Sequence, residues 1–69
     1  MTNNLSHLEL EKYLVDLNND KSIPKKLMDK FWEIKEVEGS RNMGIVNHPK
    51  EGWIILAADG EILWKYLDN

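Results

Sequence analysis

Apolar and polar positions alternate most clearly between Trp53 and Leu67, where WIILAADGEILWKYL reads as two strands about a turn. Asp59-Gly60 separates the two runs. A two-residue Asp-Gly loop is a strong hairpin signal, because a type I′ turn needs φ > 0 at both central positions. That turn predicts a register in which Ala58 faces Glu61, Ala57 faces Ile62, Leu56 faces Leu63, Ile55 faces Trp64 and Trp53 faces Tyr66. Strand side chains alternate with a period of two. One face then carries Trp53, Ile55, Ala57, Ile62, Trp64 and Tyr66 and is the expected core face. The other carries Ile54, Leu56, Ala58, Glu61, Leu63 and Lys65. Its stripe of Ile54, Leu56 and Leu63 is too apolar for a solvated face, so it calls for a cover from the chain itself or for a partner.

Upstream, Arg41–Asn47 reads as a short strand, and the turn-rich HPKEG that follows pairs Asn47 with Trp53. Met43 and Ile45 then join the core face beside Ala57 and Ile55. Gly44 marks a bulge or a place where something approaches the backbone closely. Two helical patterns precede the strands. Ser6-His7-Leu8-Glu9 fits a capping box with Leu5 and Leu10 at staple positions, and Leu10, Leu14 and Leu17 share a face, predicting a helix over 7–17. His7 in its first turn reads as a solvated surface residue. A second helix opens at Ser22-Ile23-Pro24, buries Leu27, Phe31 and Ile34, and ends at Gly39. Together the pattern predicts a single α+β domain over 1–69. Its two N-terminal helices form an α-hairpin packed on one face of a three-stranded antiparallel β-meander, in the order ααβββ.

Size and composition narrow the functional classes. A chain of 69 residues buries only about 60% of its unfolded surface. Without cysteine, neither disulfides nor thiolate metal sites can supplement its core. The net charge of −3 argues mildly against generic nucleic-acid binding. No run reaches the ~20 apolar residues of a membrane span, and a reducing cytoplasmic setting is the expectation.

Catalytic chemistry is thinly represented. Ser6, Ser22 and Ser40 fall at helix caps or in a loop, the four glycines form no phosphate-cradling pattern, and His48 with Glu51 is the one histidine–carboxylate neighbourhood. No catalytic residue, metal ligand or cofactor is expected. The informative features are surfaces. Lys25, Lys26 and Lys30, with Lys21 before them, crowd the start of the second helix, where positive charge opposes the helix dipole. Lys25 has Asp29 as a partner one turn on. Trp32 stands beside the buried stripe, as a lid on the core or as an exposed anchor.

The opening MTNNLSHLELEK and the closing hairpin resemble, over those few residues, small phage-encoded inhibitors of uracil-DNA glycosylase. The acidic contact strand of those inhibitors has no equivalent here. LAADGEILWKY is similar to the Asp-Gly hairpins of thioredoxin-like proteins, without their cysteines. Neither resemblance assigns a family.

The expected function is therefore that of a protein-interaction module, an inhibitor or adaptor that occupies a partner protein's surface. Its candidate contacts are Ile54, Leu56, Leu63 and Lys65 on the outer sheet face, and Lys25, Lys26, Lys30 and Trp32 on the second helix. A nucleic-acid-associated role through the lysines is the alternative. A homodimer or accessory subunit joined through an edge strand is a further one.

Overall fold

The computed structural model describes residues 7–19 and 21–67 of the chain. Two helices, α1 (His7–Glu11) and α2 (Lys25–Glu38), precede three strands, β1 (Met43–His48), β2 (Gly52–Ala57) and β3 (Ile62–Tyr66). The strands form one antiparallel sheet in the order β1-β2-β3. The β1–β2 register follows the hydrophobic alternation as expected: Met43 pairs with Ala57, Ile45 with Ile55 and Asn47 with Trp53.

The helices are not a hairpin on one face. Leu27 and Phe31 of α2 pack with Ile45, Trp53 and Ile55 on one side of the sheet, while Leu10 of α1 packs with Val46, Ile54 and Leu56 on the other. The sheet is therefore the middle layer of three. The α+β class holds, and the paired-helix arrangement is corrected.

α1 also stops at Glu11 rather than at Leu17. Tyr13–Val15 leaves the helix to pair with the outer edge of β1. Val15 N–H donates to the Ile45 carbonyl at 2.9 Å, Asn47 N–H donates to the Tyr13 carbonyl at 3.0 Å, and Leu14 bridges Val46. Tyr-Leu-Val suits a strand at least as well as a helix, and a tertiary ladder overrides a weak helical preference. The segment thus carries the chain around the edge of β1, from Leu10 on one face to Val15 and Leu17 on the other. Gly44 admits it: a Cβ there would lie 3.2 Å from Leu14 Cδ2, so the close approach predicted for this glycine is made by the chain itself. Ser6 and Leu5, the cap and staple positions, lie outside the described residues.

α2 follows Pro24, whose φ of −60° and ψ of 142° mark the last extended residue, and no side chain caps it. Gly39, at φ 70°, ends the helix and donates its N–H to the Lys35 carbonyl. A left-handed residue is favourable here only as glycine.

The β2–β3 hairpin departs from a two-residue turn. Asp59 keeps a negative φ and only Gly60 is left-handed, at 93°. Gly60 N–H donates to the Ala57 carbonyl and Ala57 N–H to the Glu61 carbonyl, so the loop is Ala58-Asp59-Gly60. The extra loop residue shifts the register, so that Leu56 pairs with Ile62 instead of Leu63. A bulge between Ile55 and Leu56 absorbs the shift, and Ile55–Trp64 and Trp53–Tyr66 pair as expected. The extra residue on β3 is Leu63. A bulge sends two successive side chains to one side, and Leu63 and Trp64 both pack against the α2 core. Ile62, expected in the core, is turned out and exposed.

Candidate protein-interaction surface

These corrections redistribute the candidate contacts. Ile54 is fully buried and Leu56 is 3% exposed, beneath Leu10 and Tyr13. Cover for that stripe comes from the chain's own N-terminal segment. Leu63 lies on the opposite face, beside α2. Lys65 is exposed and anchors to Glu51 with its Nζ 2.6 Å from the carboxylate. That bond holds the Glu51 carboxyl below its ordinary range, with His48 adding a smaller push in the same direction.

The structure sets Lys26 and Lys30 along β3 and brings Lys30 to the same cleft as Leu63. α2 runs antiparallel to β3: Lys26 Nζ lies 5.8 Å from the Tyr66 ring, Lys30 Nζ lies 5.4 Å from the Trp64 ring, and Ile34 and Val37 reach Leu63. Trp64 and Tyr66 stack with centroids 5.7 Å apart and planes 6° from parallel. Cation–π contact and the alkyl stems of the lysines thus cover aromatic surface that β3 would otherwise expose. Lys25 pairs with Asp29 at 3.0 Å and Lys30 with Glu33 at 3.1 Å.

Beyond Lys30 the covering gives way to an open cleft of about 300 Å³ between α2 and β3, lined by Lys30, Glu33, Ile34, Val37, Glu38 and Leu63. Val37 is 81% exposed at its rim. Sequence reasoning passed over Val37, Ile34 and Glu33 as surface contacts. The available signal was an apolar residue set off the Leu27–Phe31–Ile34 stripe. Trp32 is not part of this cleft. At roughly 100° per residue it falls on the other flank of α2 from Lys26, Lys30 and Val37. It is 58% exposed, standing edge-on to Phe31 at 5.1 Å, an anchor-like position rather than a lid.

β3 also ends the sheet. Among the described residues no strand pairs with its outer side, whereas the outer side of β1 receives Tyr13–Val15. Ala57 bonds toward β3 through Glu61, and antiparallel ladders alternate, so Trp64 and Tyr66 bond toward β2 while the N–H and C=O of Lys65 point outward. An outward donor and acceptor beside an apolar cleft is the geometry that accepts an added strand.

At the far end of this edge Arg41 gathers the termini of three elements. Its guanidinium binds Glu38 at 2.8 Å, Asp59 at 3.5 Å and Glu61 at closer range. The bonds to Glu61 and Glu38 raise the Arg41 pKa above its ordinary value. Asp59 is held below the usual carboxylate range, chiefly by the Glu61 backbone N–H at 3.1 Å and then by Arg41.

His48, read from sequence as a loop residue, is only 7% exposed. Its Nδ1 accepts the N–H groups of Lys50 and Glu51, both at 3.0 Å, so the imidazole closes the β1–β2 turn. Its ring meets Tyr13 edge-on at 5.0 Å. That role is structural, and no group of three or more His, Asp or Glu side chains converges to hold a metal among the described residues. No helix among them is long and apolar enough to cross a membrane. Comparison with protein-family models, with curated proteins and with solved structures finds no match to this chain.

Proposed function

We propose that the chain is a small non-catalytic protein-interaction module that takes an extended strand of a protein partner onto the outer edge of β3. The observation that carries this reading is the coincidence of an edge left unpaired among the described residues with the cleft of Ile34, Val37 and Leu63 beside it. Backbone bonds to Lys65 supply affinity that is indifferent to sequence, and the cleft selects alternate apolar side chains of the incoming strand. Occupying a partner's strand in this way suits an inhibitor or an adaptor. Lys25 and Lys30 each have an acidic neighbour, Asp29 and Glu33, which lowers the net positive charge presented to a nucleic acid and favours a protein strand as the ligand.

Selection of a displayed peptide library against the immobilised protein tests the reading. Enriched peptides should alternate apolar residues, and both Lys65→Pro and Val37→Glu should abolish their binding. Lys65→Pro removes the outward N–H from an edge strand, where proline is tolerated. Enrichment of no sequence, or binding indifferent to both substitutions, would refute the reading.

A further inference from the structure

The surface along the open edge carries an ordered charge pattern. At its Tyr66 end stand Lys26 and Lys30, with Lys25 behind them. At its Ile62 end stand Glu38 and Glu61, both bound by Arg41, while Glu33 pairs with Lys30 midway and Ile34, Val37 and Leu63 follow it toward that end. Within α2 the pattern opposes the helix dipole at both ends. The first turn holds two lysines and no acidic residue, and the last turn holds Glu36 and Glu38 with Lys35 as its one base. An arrangement of this sense costs stability inside one chain. An antiparallel neighbour of the same sequence reverses the order, so basic end meets acidic end twice and the two helix dipoles oppose. A parallel copy would instead set like charge against like.

We propose that the strand received by β3 is β3 of a second copy of this chain, the two joining antiparallel about a two-fold axis into one continuous sheet. The inference rests on the strand-addition reading above and names its occupant. An isologous contact of this kind is self-complementary and closed, so it ends at two chains. It covers both exposed edges at once and places the α2 helices antiparallel on the same face, flanking the seam. Val37 and Ile62, exposed in the single chain, lie next to that seam.

Sedimentation equilibrium of the full chain tests the proposal, with circular dichroism to verify folding of each variant. The wild type is expected to dimerise and Lys65→Pro to remain monomeric. Lys26→Glu/Lys30→Glu makes the basic end acidic, and Glu33→Lys/Val37→Lys adds positive charge to the opposite half of α2, so each sets more like charge across the seam. Each alone should raise the dimer dissociation constant about tenfold or more, and an equimolar mixture of the two should restore association. None of these four side chains is in the buried core, so the charge variants read the interface even where the proline variant is poorly folded. A wild type that stays monomeric at millimolar concentration overturns the second copy. The strand-addition reading then stands or falls separately, on whether displayed peptides still depend on Lys65. A dimer insensitive to both the proline and the charge variants also overturns the proposal, because it must use another surface.

Discussion

The two edges of the sheet have opposite fates. β1 is bordered by Tyr13–Val15, two backbone hydrogen bonds and a side chain seated on Gly44. β3 is bordered by nothing among the described residues, although its one face is well packed beneath α2. A small chain has few residues to spare for covering edges, and this one spends its N-terminal segment on β1 and on the stripe of Ile54 and Leu56. Edge strands that are left open usually carry charge or proline against unwanted pairing. β3 has Lys65 and a bulge, but Ile62 within it and Leu67 just after it are exposed. The difference teaches that closure at β1 is intrinsic to the fold, whereas β3 is left open among the described residues.

The largest effects should come from breaking what closes β1. Leu10→Ala removes the buried α1 residue over Val46, Ile54 and Leu56 and is expected to cost about 2–5 kcal/mol in chemical denaturation. The equivalent truncation at the open edge, Ile62→Ala, should stay within about 0.5 kcal/mol. A second contrast uses one substitution on both edges. Val15→Pro deletes the N–H that binds Ile45 and should destabilise the chain by about 1–3 kcal/mol while exposing a new edge, read as a lower melting temperature with increased self-association. Lys65→Pro should remove association and leave the melting temperature near that of the wild type in dilute solution, where both are single chains.

Two glycines give smaller, graded effects. Gly52 has φ +83° and its added Cβ would lie 2.8 Å from the Tyr66 carbonyl oxygen, so Gly52→Ala should cost about 1–3 kcal/mol and loosen the hairpin at its open end. Gly44→Ala meets only the end of a half-exposed Leu14, which can swing away. Its effect should be below about 1 kcal/mol and confined to protection of the β1 edge. Smallest is the pH response at the Arg41 cluster and at Glu51. Asp59 and Glu51 have pKa values lowered in the folded chain, so their contribution is present above the unfolded carboxylate range, near pH 4. It should fade as pH falls through their folded values. Added salt should screen the same contribution at neutral pH, which denaturation at two ionic strengths would read.

The β1–β2 register, the extent of α2 and the outer half of the β2–β3 pairing were legible in the alternation of apolar residues, because those positions obey one period. What escaped follows from places where two local solutions compete. Leu10, Leu14 and Leu17 satisfy a helical stripe, yet Tyr13–Val15 gains more from the unpaired edge of β1 than from two further helical turns. Asp59-Gly60 fits a two-residue turn, yet Asp59 avoids a left-handed φ and the loop takes Ala58 as well. A strand register displaced by one residue exchanges its faces. That single residue moved Leu63 from the outer face to the α2 side and sent Ile62 outward. It also built the cleft beside Val37, which no periodicity over β3 alone could announce.

The most direct test of the difference between the edges is backbone hydrogen exchange at two amides, measured from dilute to concentrated protein. Asn47 N–H, bound to Tyr13, should be protected at every concentration. Lys65 N–H should exchange freely in dilute solution and gain protection as the chains associate. Equal protection of both amides at all concentrations would contradict an open β3 edge, and free exchange of Asn47 would contradict a closed β1.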